Sequence, residues 1–106
     1  MNEIRWSAAE KKVARAAFER AHERELSAVR AEVQGMLRNE KDDGVVWRVE
    51  SYLREKRREM NEKYDYRYSV LMFLFMRLYS DGYVTDEDLV GLRAEKVERI
   101  RRGVGV

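Results

Sequence analysis

Apolar and polar residues alternate with a helical period in the first part of the chain. Ser7 and Glu10 match a capping box, in which a serine hydroxyl and a glutamate three residues later satisfy free amides at a helix N-terminus. From there the pattern predicts one helix to about residue 38. One side carries a mostly apolar stripe, which consists of Ala14, Phe18, His22, Leu26, Val29, Val33 and Met36.

A second helix is predicted after the turn-like segment NEKDDG, residues 39–44, where Asp42 or Asp43 is a suitable cap. The helix runs from about residue 45 to residue 62. Its apolar stripe, which also includes the stem of Lys56, consists of Val45, Val46, Val49, Tyr52, Leu53 and Met60. We expect the two helices to fold back on each other as an antiparallel hairpin.

The next segment, KYDYRYSVLMFLFM (residues 63–76), is unusual in a chain in which 40% of the residues are charged. Its alternating tyrosines are typical of a β-strand, but no other segment alternates convincingly enough to pair with it. As a helix from about residue 65 to residue 80, it is apolar nearly all round between Val70 and Met76. Because a helix of that kind is buried, we predict that it forms the centre of a compact head.

Two short helical elements are predicted to complete this head. Thr85–Asp88 repeats a capping pattern and starts a short turn that ends before Gly91. A last helix follows from about residue 94 to residue 101, with Val97 and Ile100 facing inward.

The predicted architecture is all-α, with one domain over residues 1–106. Two long antiparallel helices (residues 7–62) form the dimerisation part, a dimeric helical bundle, and residues 63–102 form the compact C-terminal helical head. The stripe of the first helix extends beyond what one hairpin partner covers, which favours a homodimer. The residues that we expect in the dimer interface are Phe18, Leu26, Val29, Val33 and Met36.

Composition narrows the possible functions. The 22 basic and 20 acidic residues leave a net charge of +2, too balanced for a dedicated binder of polyanions. Cysteine is absent, which excludes a disulfide framework and thiolate chemistry. The charged N-terminus lacks a signal-peptide core, and the apolar run is far too short to span a bilayer. We therefore expect a cytoplasmic protein that uses neither a membrane nor a cofactor.

Trp47 is the most informative candidate for binding. It is predicted on the polar side of the second helix, beside Ser51, Arg54 and Arg58. Tryptophan and arginine dominate interface hot spots, so this side is a candidate partner-binding face. The alternative is that Trp47 packs under the end of the first helix or against a second subunit.

Three other patterns have weaker functional interpretations. His22 and Glu25 have a spacing compatible with two metal ligands, but no third ligand accompanies them, which favours a polar pair within helix packing. The carboxylates of residues 86–88 indicate a helix start rather than catalysis. Residues 89–100 partly match a helix-hairpin-helix, but Arg93 replaces a required glycine, so we expect no nucleic-acid binding.

Several of these residues resemble the fluorescence recovery protein family of cyanobacteria over roughly residues 6 to 101. The resemblance is carried by Trp6-Ser7-x-x-Glu10, Trp47, Lys56-Arg57-x-Glu59, Lys63-Tyr-Asp-Tyr-Arg-Tyr-Ser-Val-Leu71 and Glu87-Asp-Leu-x-Gly-Leu92. It implies a helical, non-enzymatic homodimer with a compact head. It also implies binding to the photoactivated orange carotenoid protein, chiefly its C-terminal domain, and a faster return of that protein to its orange form, which ends quenching of the phycobilisome antenna.

The resemblance also implies a set of partner-binding residues. Trp47 and Arg57 match the family's functional patch, and Phe73 and Arg99 match functional residues of its head. With their neighbours, the predicted partner-binding residues are Trp47, Glu50, Ser51, Arg54, Arg57, Phe73 and Arg99.

Two positions of this set depart from the family pattern. Ser51 replaces an aspartate, and Glu50 stands where a histidine is frequent. A lost charge at a partner-facing position weakens or redirects binding. The alternative function is therefore that of a helical regulatory or scaffold protein of the same family in a non-photosynthetic host, with a different partner.

Overall fold

The computed structural model describes residues 4–103. Its α-helices are α1 (Ala8–Asn39), α2 (Val45–Lys63), α3 (Tyr68–Asp81) and α4 (Ala94–Arg102), with a 3-10 turn at Glu87–Leu89 before α4. The predicted all-α fold is confirmed, since every regular element within the described residues is helical.

The predicted start of α1 is confirmed in detail. The amide of Glu10 donates to Ser7 Oγ, and the amide of Ser7 donates to Glu10 Oε1, both at 3.1 Å. This reciprocal capping box satisfies two amides that have no partner within the helix. With 32 residues, α1 is about 48 Å long by its rise per residue and extends along most of the 54 Å long axis of the protein.

The antiparallel hairpin of α1 and α2 is also confirmed, because Lys63 at the end of α2 returns to Glu25 in the middle of α1. The predicted cap of α2 is wrong: Gly44 is the N-cap residue, and neither aspartate side chain caps the helix. Asp42 instead pairs with Arg48, whose Nη2 lies 2.8 Å from Asp42 Oδ2. The backbone carbonyl groups of residues 42–44 accept the first amides of α2.

The central helix of the head differs from its prediction in two respects. It begins at Tyr68, three residues later than expected, because residues 64–67 form an extended linker whose side chains engage α1. The rings of Tyr64 and Tyr66 pack edge-on against Phe18, with centroids 5.5 and 4.9 Å away. The helix is also not buried all round, because Phe73 is 54% exposed.

The core of the head is formed jointly by α3, the C-terminal elements and the N-terminal half of α1. Three fully buried alanines of α1 join the core cluster, where their small side chains allow close packing. Gly91 shows how tight this packing is, because a Cβ atom there would lie 2.7 Å from Val13 Cγ2. The buried residues of this cluster are Trp6, Ala14, Ala17, Ala21, Leu71, Met72, Leu74, Phe75, Met76, Leu78, Val84, Leu89, Leu92 and Ile100.

Candidate functional site: an exposed face of α2

Trp47 lies in the first turn of α2, and its side chain is 72% exposed. The sequence prediction that it lies on the polar side of the helix is confirmed. The alternative that it packs under the end of α1 is wrong for the protomer, since such packing would bury the ring. Val46 and Leu53 of the same helix are also exposed. These three large apolar side chains of α2 are therefore in contact with solvent.

The polar candidates on α2 follow Trp47 along the helix. Glu50 and Arg54 form an ion pair one turn apart, with Arg54 Nε 3.0 Å from Glu50 Oε2. Arg57, one further turn along, lines a shallow groove together with both of them. Ser51 is exposed on the neighbouring side. These predicted residues therefore share one continuous surface of α2, which we call the α2 face (Trp47, Glu50, Ser51, Arg54 and Arg57).

Arg48 holds the start of α2, next to Trp47. Its Nε lies 2.5 Å from Glu40 Oε1, in addition to the contact with Asp42. The hydrogen bond from Arg48 lowers the pKa of Asp42 below its ordinary value. The sequence did not predict this contact, because Glu40 is the C-cap residue of α1, Asp42 lies in the turn and Arg48 belongs to α2. Only the conformation of the tight turn brings the three side chains together.

The two head candidates lie elsewhere. Phe73 borders a separate groove, to which Val70 and Arg77 of α3 and Glu62 of α2 also contribute. Arg99 is exposed on α4. The candidate residues of the head are thus accessible, but Phe73 lies in a different groove from the one that Arg54 and Arg57 line.

The residues predicted for a dimer interface have different environments in the protomer. Leu26 is 49% exposed, whereas Val29 is already buried between the helices. Phe18, Val33 and Met36 are half-buried. An open groove between α1 and α2 is lined by Leu26 and Val29 and also by Leu53 and Met60, which the sequence prediction did not include.

Glu25 and His22 do not form the polar pair that the sequence predicted. Glu25 is 2% exposed and accepts hydrogen bonds from Lys63 Nζ and from the Tyr64 hydroxyl, both at 2.7 Å. Burial alone would raise its pKa, but these bonds more than offset that effect and lower the pKa. His22 instead packs edge-on against the Tyr64 ring, with centroids 4.8 Å apart. Within residues 4–103, no three potential metal ligands lie together.

The carboxylates of the head have structural partners. Asp88 is buried and accepts hydrogen bonds from Arg24 Nη1 at 2.5 Å and from the Thr85 amide at 2.8 Å. Asp86 accepts from Arg101 and Tyr79 on the surface. Both carboxylates are thus engaged in contacts that stabilise the fold, which agrees with the structural interpretation of these residues rather than a catalytic one.

The start of α4 is occupied by a carboxylate of the protein itself. The Arg93 amide, which the helix-hairpin-helix interpretation would aim at a phosphate, donates to Glu10 Oε2 at 3.0 Å. A phosphate would therefore meet a negatively charged group at this helix start.

Among the described residues, no helix has the length and apolar character needed to cross a bilayer.

Comparisons with known proteins identify the family of the chain. The family model described as photoprotection regulator fluorescence recovery protein matches residues 6–102. The fluorescence recovery protein of Synechocystis sp. is 37% identical over 99 residues, which are 93% of this chain and 91% of that protein.

Two solved structures extend the similarity to the fold. The structure of the Synechocystis protein has a TM-score of 0.81 and 37% sequence identity, and the match covers 92% of this chain and 96% of the Synechocystis chain. That of the Fremyella diplosiphon protein has a TM-score of 0.79 at 38% identity, covering 91% and 94%. The chain belongs to the fluorescence recovery protein family.

Proposed function

We propose that this protein is a non-enzymatic, cytoplasmic homodimer that binds the photoactivated orange carotenoid protein and accelerates its return to the orange form. This step ends the quenching of the phycobilisome antenna. The observation that carries the proposal is the exposed α2 face, with Trp47 and Arg57 at the positions that the family resemblance assigns to its partner patch.

The chemistry of the α2 face suits recognition of a protein. The Trp47 ring contributes little to the stability of the protomer, because most of the ring is in solvent. When covered by a partner, a tryptophan ring contributes a large apolar area, and a nearby arginine forms bidentate bonds to a carboxylate. Such residues are the ones that dominate binding energies at interfaces.

The homodimer is supported by the poor burial of α2. Only Val45 and Met60 of its 19 residues are buried in the protomer. Leu26 and Leu53, which line the groove between α1 and α2, leave apolar surface exposed there, as expected at a protein–protein interface. A second copy that covers the groove between α1 and α2 would remove this surface from water.

Recovery of the orange form tests the function directly. The rate after photoactivation is compared with and without this protein at an equimolar ratio. We expect acceleration, a weaker effect for Trp47→Ala and Arg57→Leu, and a stronger effect for Ser51→Asp, which restores the family's charge. One charged hydrogen bond is worth roughly ten-fold or more in affinity. The matched control is Arg30→Leu, an exposed arginine on the outer side of α1.

The recovery assay also distinguishes the proposed function from the alternative one. If neither this protein nor Ser51→Asp changes the recovery rate, and no complex elutes from a sizing column, the carotenoid protein is not its partner. The protein would then be a helical regulator or scaffold that uses the α2 face for another protein. Ser51 favours this alternative to the extent that the missing aspartate is required for binding.

A further inference from the structure

Helix α2 is attached to the rest of the protomer mainly at its two ends. Its two buried residues, Val45 and Met60, lie near the start and the end of the helix. At the start, the Arg48 contacts are exposed and therefore weak. At the end, the contacts converge on Glu25, which is buried.

Glu25 binds three groups from two parts of the chain. Lys63 Nζ and the Tyr64 hydroxyl are 2.7 Å from its carboxylate, and Lys56 Nζ is 3.9 Å away. Lys56 and Lys63 belong to α2, and Tyr64 opens the linker to α3. One carboxylate on α1 thus joins α2 to the beginning of the head.

The spacing of the two lysines determines what this junction controls. Lys56 and Lys63 are seven residues apart, about two turns, so both lie on the same side of α2. Met60 lies between them on that side and is buried. Contacts at two points one above the other oppose rotation of the helix about its axis and sliding along α1. Trp47 lies on the opposite side of α2. The contacts of the two lysines therefore also determine in which direction the Trp47 side of the helix points.

We propose that Glu25 is a positioning residue that sets the rotation of α2, and with it the direction of the α2 face relative to the head. Its consequence for binding rests on the proposed function, because the partner would meet the α2 face in a defined orientation. The placement of α2 itself can be measured without any partner.

Pairs of spin labels test the placement. The chain has no cysteine, so Glu55→Cys on α2 and Glu98→Cys on α4 provide two unique attachment sites at exposed positions. The labelled chain is refolded with an excess of unlabelled chain, so that distances within one chain dominate. We expect Glu25→Gln to broaden or shift the distance distribution. The matched control is Glu19→Gln on the same helix, whose carboxylate pairs only with the exposed Arg15 among the described residues.

Milder variants keep the test decisive if Glu25→Gln does not fold. Tyr64→Phe deletes one hydroxyl and keeps the ring on His22, and Lys56→Met deletes one charge while keeping an apolar stem. We expect each to broaden the distribution less than Glu25→Gln. An unchanged distribution in all folded variants overturns the proposal.

The recovery assay with unlabelled protein then tests the consequence. If the wild-type protein accelerates recovery, Glu25→Gln should weaken binding by about ten-fold while leaving the α2 face itself unchanged. A changed distance distribution with a wild-type recovery rate overturns the positioning role. If the wild-type protein has no effect on recovery, the proposed function fails, while the label distances still decide the placement of α2.

Discussion

The head and α2 use their apolar residues in opposite ways. Six of the 14 residues of α3 are buried, whereas α2 buries two of 19. Helix α3 shares the buried core of the head with α4, with Leu89 of the 3-10 turn and with the alanines of α1. Within the described residues, helix α2 packs mainly on α1 and exposes Trp47, Val46 and Leu53. The stability of the protomer thus lies mainly in the head, whereas α2 leaves large apolar side chains in solvent.

The charged residues show the same contrast. Around the core of the head, the buried Glu10 of α1 and Asp88 each bind a residue that is far away in sequence. On α2, the pairs Glu50–Arg54 and Glu55–Arg58 join neighbouring turns of one helix in solvent. Exposed pairs of this kind contribute little to stability because solvent screens them, whereas removing one partner of a buried pair costs several kcal/mol.

The largest effect is expected from Phe75→Ala. Phe75 is fully buried in the head, and the substitution should reduce the free energy of unfolding by about 3–5 kcal/mol because it leaves a cavity. Phe73→Ala, two residues earlier on the same helix, should cost less than about 1 kcal/mol because that ring is half exposed. Urea denaturation measures both. Equal losses would contradict the assignment of Phe73 to the surface.

A smaller effect is expected from acid. Burial would raise the pKa of Glu10, but hydrogen bonds from Lys96 and from the Arg93 and Ser7 amides outweigh it and lower the pKa from 4.5 to about 2. The resulting stabilisation is complete above pH 4.5 and is lost as the pH falls toward 2. It amounts to about 3 kcal/mol.

Unfolding experiments across this pH range check the assignment. The pH dependence should be reduced in Glu10→Gln and retained in Glu19→Gln, an exposed glutamate on the same helix. Equal slopes for Glu10→Gln and the unmutated protein would show that other carboxylates cause the acid sensitivity.

The smallest change to the protomer is expected from Leu26→Glu. Because Leu26 is half exposed, the protomer fold should lose less than about 1 kcal/mol. The proposed dimer should nevertheless dissociate, because the new charge would be buried at its interface. The molar mass measured by light scattering should fall from about twice 12.7 kDa to the mass of one chain. The control is Ser27→Glu, an exposed position one residue away, which should keep the mass of the dimer. A single-chain mass for the unmutated protein at tens of micromolar, or a Leu26→Glu dimer, would rule out this interface.

Local patterns in the sequence determined most of the helical framework. The Ser7–Glu10 capping box and the apolar period placed α1 and α2 within a residue or two of their observed bounds. The block KYDYRYSVL carried the family resemblance, and the comparisons confirmed the family. The exposure of Trp47 was also predictable, because the angle between residues of one helix depends only on their spacing.

Contacts between distant parts of the chain decided the rest. The late start of α3 depends on Tyr64, whose hydroxyl binds Glu25, 39 residues earlier. Glu10 is buried because Lys96, 86 residues away, neutralises it. Helical periodicity defines the angle around one helix axis, and it contains no information on which distant residue covers each side. Burial of a carboxylate requires a partner at hydrogen-bond distance, and only the packing of the helices brings that partner into place.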